Sequence, residues 1–190
     1  MPVKTVYQTL EDRDTDLTEL EENGPYLCNW DNSWLGDGFY FWDTFIENAH
    51  WWGEEIRCYK NGYIICQAEC DYSDVECFDL VGNTEHLNQI YNTFELMKKN
   101  GLANKKTSVK RIISHLKDTL KTFHYSAIRV YGIKSKNYNS RFSFTQVFEK
   151  DRPAYLDYKP PIQICFFSKK SLNLRDFRIV YPKNYSLEYI

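Results

Sequence analysis

Apolar and polar positions along the chain alternate in some stretches and recur at three and four in others, which predicts a mixture of strands and helices. Residues 3–10 (VKTVYQTL) read as a short first strand, with Val6 and Tyr7 as its bulky members ahead of the polar Gln8 and Thr9. Residues 63–71 (YIICQAECD) form a strong strand in which Cys66, Ala68 and Cys70 alternate, and 75–80 (VECFDL) is a further short apolar piece. Strands are also predicted at 127–133, 142–148, 162–167 (IQICFF, the surest of the C-terminal half) and 174–181.

Helical spacing occurs three times outside the central stretch. An acidic segment at 11–22, carrying Leu17 and Leu20, suits a short solvated helix ended by Asn23-Gly24-Pro25. Thr84 can cap a helix with Leu87, Ile90, Tyr91, Phe94 and Met97 on one face, stopped by Asn100-Gly101. Residues 105–121 interleave six basic side chains with Val109, Ile112, Ile113, Leu116 and Leu120, an amphipathic helix with a lysine-rich outer face. The polar segment 134–141 and the turn at 149–153 are loops, and Pro160-Pro161 enforces extended backbone.

The densest pattern is 34–53, WLGDGFYFWDTFIENAHWWG. Gly36, Asp37 and Gly38 make a turn into an aromatic strand, Phe39 to Trp42. Asp43 or Thr44 can then cap a helix whose apolar side carries Phe45, Ile46, Ala49 and Trp52. A loop, a core strand and a core helix account for the periodicity but not for so many aromatics beside paired glycines.

Composition adds bounds. A chain of 190 residues with 43% hydrophobic, 17% aromatic and 26% charged residues has the size and make-up of a single globular domain, spanning 1–190. A formal charge of −2 supplies no basic excess for bulk nucleic-acid or membrane-surface binding. Without a membrane-length apolar run, and with an N-terminus that turns acidic, the expected location is cytoplasmic. Six cysteines with no C-x-x-C pair do not make a disulfide scaffold. Cys66, Cys70 and Cys77 with His86 could be read as zinc ligands, but small core side chains on a strand fit them better, and no metal is expected. Serine-hydrolase, P-loop and zinc-protease motifs are missing, and Gly36-x-Gly38 lacks the third glycine of a dinucleotide fingerprint.

Gly36-Asp37-Gly38-Phe39-Tyr40-Phe41, followed by Asn48-Ala49-His50-Trp51, resembles the G-x-G-[IF]-Y-F stretch and following S-A-x-Y of the ADP-ribosyltransferase fold, in its poly(ADP-ribose) polymerase and diphtheria-toxin branch. The resemblance implies an α+β domain with two small, mostly antiparallel sheets meeting at a cleft, flanked by helices. It implies NAD as substrate, with Tyr40 and Trp51 sandwiching the nicotinamide ring, a contact of roughly 1–3 kcal/mol per stacked face.

By the same resemblance Gln8 stands where the family has a ribose-binding histidine, Thr9 beside it contacts NAD, and Gly38 belongs to the cofactor-binding turn. The family's catalytic glutamate opens a late strand, a place that falls on Gln163 here, and Glu149 is the other candidate carboxylate. The implied activity is transfer of ADP-ribose to a protein or nucleic-acid acceptor, as in a toxin or defence effector. Its alternative is a degenerate relative that binds a nucleotide-like ligand or a protein. A third reading uses the basic helix over 108–121 as an interaction surface.

Overall fold

The computed structural model describes residues 2–31, 33–131 and 139–183. Strand β1 (Val3–Glu11) lies antiparallel to β3 (Tyr63–Asp71) along its whole length, from Val3 opposite Asp71 to Glu11 opposite Tyr63. The two longest strands of the sheet thus pair with each other, and β3 alternates in burial over its second half, Cys66 to Asp71. With β2 (Phe39–Asp43), β4 (Cys77–Asp79), β5 (Ala127–Val130), β8 (Gln163–Phe166) and β9 (Arg175–Tyr181) they form a seven-stranded sheet in the order β4-β5-β8-β2-β1-β3-β9. Only the β4–β5 pair is parallel. Strands β6 (Thr145–Val147) and β7 (Tyr155–Asp157) make a separate two-stranded sheet.

The architecture is α+β, with one large mixed sheet in place of the two small sheets expected. That sheet nevertheless has a weak joint. β1 and β2 are in register only at Val6 opposite Asp43 and Tyr7 opposite Trp42. Beyond it β1 continues along β3, while β2 continues along β8, where Trp42 faces Gln163 and Phe39 faces Phe166. Four strands on one side and three on the other diverge from this joint.

Phe39 and Phe41 point to one face and pack with Val6, Ala68, Ile164 and Phe166; the Phe41 and Phe166 rings meet edge to face at 5.5 Å. Tyr40 and Trp42 point to the other. Gly38, ahead of them, lies against β8: a Cβ there would stand 2.4 Å from the Cys165 Sγ and 2.9 Å from the Phe166 carbonyl oxygen. Gly38→Ala should therefore lower the unfolding free energy by about 1–3 kcal/mol, read as a lower urea midpoint at unchanged m-value.

Helix α1 (Leu17–Asn23) is capped by Asp16, whose carboxylate accepts from the Thr18 and Glu19 N–H groups, and it buries Leu20. Helix α2 (Ile46–Trp51) departs from expectation. Neither Asp43 nor Thr44 caps it: Asp43 is held in an ion network, and Thr44 adopts φ 66°. From Trp52 the chain winds into a π-helical turn (Trp52–Ile56). The buried residues of α2 are Asn48, Ala49 and Trp51, so the buried tryptophan is the neighbour of the one predicted.

Helix α3 (Thr84–Lys99) starts one residue after its Asn83 cap and buries His86, Thr93 and Met97. Leu87 and Tyr91, placed on its inner face by spacing alone, are exposed. The basic segment folds as α4 (Val109–Ser114) and a π-helical turn (His115–Thr119). Its lysines are not all outward, because the Lys117 ammonium lies 3.3 Å from the centre of the Phe167 ring. Of the polar loop expected at 134–141, residues 134–138 fall outside the described residues, as do 132–133 of the strand expected at 127–133. Among the described residues no helix is long and apolar enough to cross a membrane.

Candidate functional site

Where β1 and β2 part, the loop after α1 enters the gap and an aromatic cleft opens. The loop is closed on itself at one point and tied to β1 at another. The Cys28 and Gly38 backbones exchange hydrogen bonds of 2.9 and 3.1 Å, and the Gln8 side chain grips the Tyr26 backbone, donating to its carbonyl at 2.7 Å and accepting from its N–H at 2.9 Å. The resulting cavity of about 450 Å³ has the size of a small-molecule site.

Its walls include Trp34, Tyr40, Trp42 and Trp52, and its buried polar residues are Gln8, Ser33 and Gln163. Tyr40 is half-buried and its hydroxyl is fully engaged, donating to the Gly36 carbonyl at 2.7 Å and accepting from the Leu35 N–H at 3.0 Å. Burial, with the nearby Cys165 adding to it, pushes the phenol well above its ordinary pKa, so this ring stays neutral and fixed in orientation. Trp42 and Trp52 lie 5.7 Å apart between ring centres.

Gln163, only 6% exposed, opens β8 beside Trp42. Among the described residues its Oε1 has no hydrogen-bond partner, nor has the Ser33 Oγ. Both atoms are closed to solvent, as is the Asn48 Oδ1 away from the cleft, and a buried polar atom left unpaired costs roughly 1–3 kcal/mol.

Four of the residues singled out in the sequence, Gln8, Thr9, Tyr40 and Gln163, thus line one cleft. Two of them are committed to holding the protein together. Gln8 spends its carbonyl and amino groups on Tyr26, and the Thr9 hydroxyl donates to the Ala49 carbonyl at 2.9 Å, docking α2 against β1.

The other three lie elsewhere. Gly38 has its N–H and C=O bonded to Cys28. Trp51 is 2% exposed, packs edge-on against Trp42 at 5.9 Å and is not part of the cavity lining, so the Tyr40–Trp51 ring clamp expected from the sequence does not form. The cause is the face of α2: Asn48, Ala49 and Trp51 turn inward, the Asn48 amide donates to the Pro160 carbonyl, and Trp52 is left to face the cleft. Glu149 sits in the turn between β6 and β7, exposed and 3.8 Å from Arg152, away from the cleft lining.

What the pattern did not reveal is that Trp34, Trp42 and Trp52 provide the walls, with Ser33 between them. The excess of aromatics around the paired glycines was the available signal. The rim carries charge: Glu11 accepts from Arg13 at 2.9 Å, and Arg57 stacks on Trp30, its guanidinium carbon 4.7 Å from the ring centre.

A second concavity, of about 440 Å³, is bounded by Lys4, Tyr72, Asp79 and Arg129. Its cations Lys4 and Arg129 are both engaged by carboxylates. Asp43 accepts from Lys4 at 3.1 Å and from Arg129 at 2.7 Å, and Arg129 also reaches Asp79 at 3.1 Å. Burial pushes the Asp43 carboxyl up, but Arg129 and Lys4 outweigh it and hold the group below the usual carboxylate range. Burial pushes Asp79 up as well, but the hydrogen bonds from the Tyr72 hydroxyl and the Val81 and Gly82 N–H groups, with Arg129 adding to them, hold it below the usual range.

The strand cysteines are buried thiols. Desolvation pushes Cys70, Cys77 and Cys165 up to about 12, which removes nucleophilic thiolate at neutral pH. His86 is engaged by the Asp79 N–H at 2.9 Å and lies 3.1 Å from the Tyr125 hydroxyl. Among the described residues no cluster of His, Cys, Asp and Glu is arranged to hold a metal ion. Compared with known proteins, the chain matches no family model, no curated protein and no solved structure.

Proposed function

We propose that the cleft binds the nicotinamide end of NAD and that the protein is an ADP-ribosyltransferase-like binder in which transfer is weak. The observation that carries this reading is the buried Oε1 of Gln163, without a hydrogen-bond partner among the described residues, on a residue that lines a cavity walled by Tyr40 and Trp42. A ribose hydroxyl donating to that oxygen would relieve its unmade hydrogen bond, and a pyridinium against the indole and phenol faces gains from the ring quadrupoles. The residue opening the strand beside β2 is the place at which the resemblance puts the group that holds the ribose. Tyr40 and Gln163 share the cleft, while Trp42 or Trp52 takes the part first given to Trp51.

Breaking the nicotinamide–ribose bond builds positive charge on the sugar, in an oxocarbenium-like state. A neutral amide can hold the hydroxyl but does not counter that charge. The single carboxylate among the described residues lining the cleft is Glu11, and its charge is taken by Arg13. The reading is therefore binding without efficient transfer, and no protein or nucleic-acid acceptor is assigned.

Quenching of tryptophan emission by NAD measures the binding directly, since four of the five tryptophans, Trp30, Trp34, Trp42 and Trp52, line the cavity. Gln163→Leu should weaken NAD about tenfold while leaving the unliganded protein as stable as the native chain or more so, because an unpaired buried acceptor is removed. A native protein whose fluorescence is unmoved by millimolar NAD would refute the reading.

A further inference from the structure

The cleft has a gradient from buried to exposed that says which end of a ligand goes where. Its deep residues are Gln8, Ser33, Trp42 and Gln163, all 6% exposed or less, whereas Trp30 at 45% and the exposed Arg57 stand at the mouth. Polar acceptors and ring faces are therefore inside, and fixed charge is outside.

Three charged side chains line the cleft, Glu11, Arg13 and Arg57. Glu11 and Arg13 bridge each other at 2.9 Å. Arg57 has no ion pair among the described residues and is held instead by rings: its guanidinium carbon lies 4.7 Å from the centre of Trp30 and 5.5 Å from that of Tyr59. Its backbone is pinned as well, because it ends the π-helical turn and donates its N–H to the Trp52 carbonyl at 2.9 Å. A guanidinium stacked on an aromatic face keeps its N–H donors free at the edge, and those donors match the paired oxygens of a phosphate. In a chain of net charge −2, the mouth of the cleft thus presents one cation without an ion pair among the described residues.

We infer that Arg57, braced by Trp30 and Tyr59, is an anion anchor at the mouth of the cleft, and that the ligand is a nucleotide whose phosphate is held there while its ring lies among the tryptophans. The inference rests on the nicotinamide reading of the floor and adds the charge of the ligand to it. It assigns the phosphate contact to a residue that no motif in the sequence marks.

Nicotinamide riboside and nicotinamide mononucleotide differ only by the phosphate and are the probes. The native protein should bind the mononucleotide about five- to tenfold more tightly than the riboside at low ionic strength, the range for a charge-assisted pair near a surface. Raising the salt concentration should erase most of that difference, because an exposed pair is screened. In Arg57→Gln the two affinities should converge on the riboside's native value.

Equal binding of the two probes by the native protein overturns this inference and leaves the reading of the floor intact. An equal loss for both probes in Arg57→Gln also overturns it, since the arginine would then serve the shape of the wall. Failure of both probes to bind the native protein removes the nicotinamide reading, and the phosphate anchor with it.

Discussion

Gln163→Glu should release nicotinamide from NAD about a hundred- to a thousandfold faster than the native chain, the range over which a preorganised electrostatic group changes such rates. The substitution keeps the shape of the side chain at the start of β8 and supplies the negative charge that the native amide lacks. Residue 163 is 6% exposed, and burial raises a carboxyl's pKa. The gained rate should therefore climb with pH as the new carboxyl ionises, whereas the native chain should show no such limb. A variant that binds NAD as the native protein does, yet cleaves it no faster, would put the scissile bond somewhere other than beside residue 163.

Asp43→Ala should be the most destabilising of the single substitutions considered, by about 3–5 kcal/mol, the cost of breaking a buried ion pair from one side. Asp43 is 2% exposed and is the anion shared by Lys4 on β1 and Arg129 on β5. It also sits in the short register joining the two halves of the sheet, opposite Val6. Among the described residues its loss leaves Arg129 with Asp79 alone and leaves Lys4 with no carboxylate. A loss of that size lowers the Tm of a domain of this length by roughly 10 °C. A loss under about 1 kcal/mol would mean that water screens the network as it does a surface pair.

The same network fixes a pH dependence. Asp43 and Asp79 both have folded-state pKa values held below the ordinary one, so both bind protons less readily folded than unfolded. Their contribution is complete above the unfolded carboxylate value of about 4 and is lost as pH falls through the depressed folded values. Urea titrations between pH 7 and pH 2 should show stability falling at the acid end, with a shallower fall in Asp43→Ala.

Much of the backbone was legible because local periodicity and tertiary burial agree. β1 and β3 are nine residues each and pair without a bulge, and Asn100-Gly101 ends α3 where glycine and asparagine ease the helix stop. Agreement ended where one residue had two possible uses. Asp43 has the chemistry of a helix cap, but two cations from other strands compete for it and a charge-assisted contact prevails. Leu87 and Tyr91 suit an inner helix face by spacing, yet the face that meets the sheet presents His86, whose ring stacks on Phe78 at 4.7 Å.

The cleft shows the same division. Tyr40 and Gln163 were placed by the resemblance, at a turn into an aromatic strand and at the start of a late apolar strand, and both line the cleft. The choice between Trp51 and Trp52 could not, since a π-helical turn displaces the following side chains around the axis and neighbouring tryptophans have equal claim to a buried face. Nor could Gln8 be known to serve Tyr26, 18 residues away, or Arg57 to rest on Trp30.

The order of hydrophobic and polar residues alone determined most strands of the large sheet, where the chain turns and how crowded with rings its centre is, since these depend on neighbours a few positions apart, whereas β7 left no such pattern. Only the tertiary structure decided that β1 and β2 part after a short register, which tryptophans face the opening and which charges stay uncompensated. Those outcomes come from contacts between distant segments, and hydrogen-bond demand and desolvation at such contacts are not encoded in any local repeat.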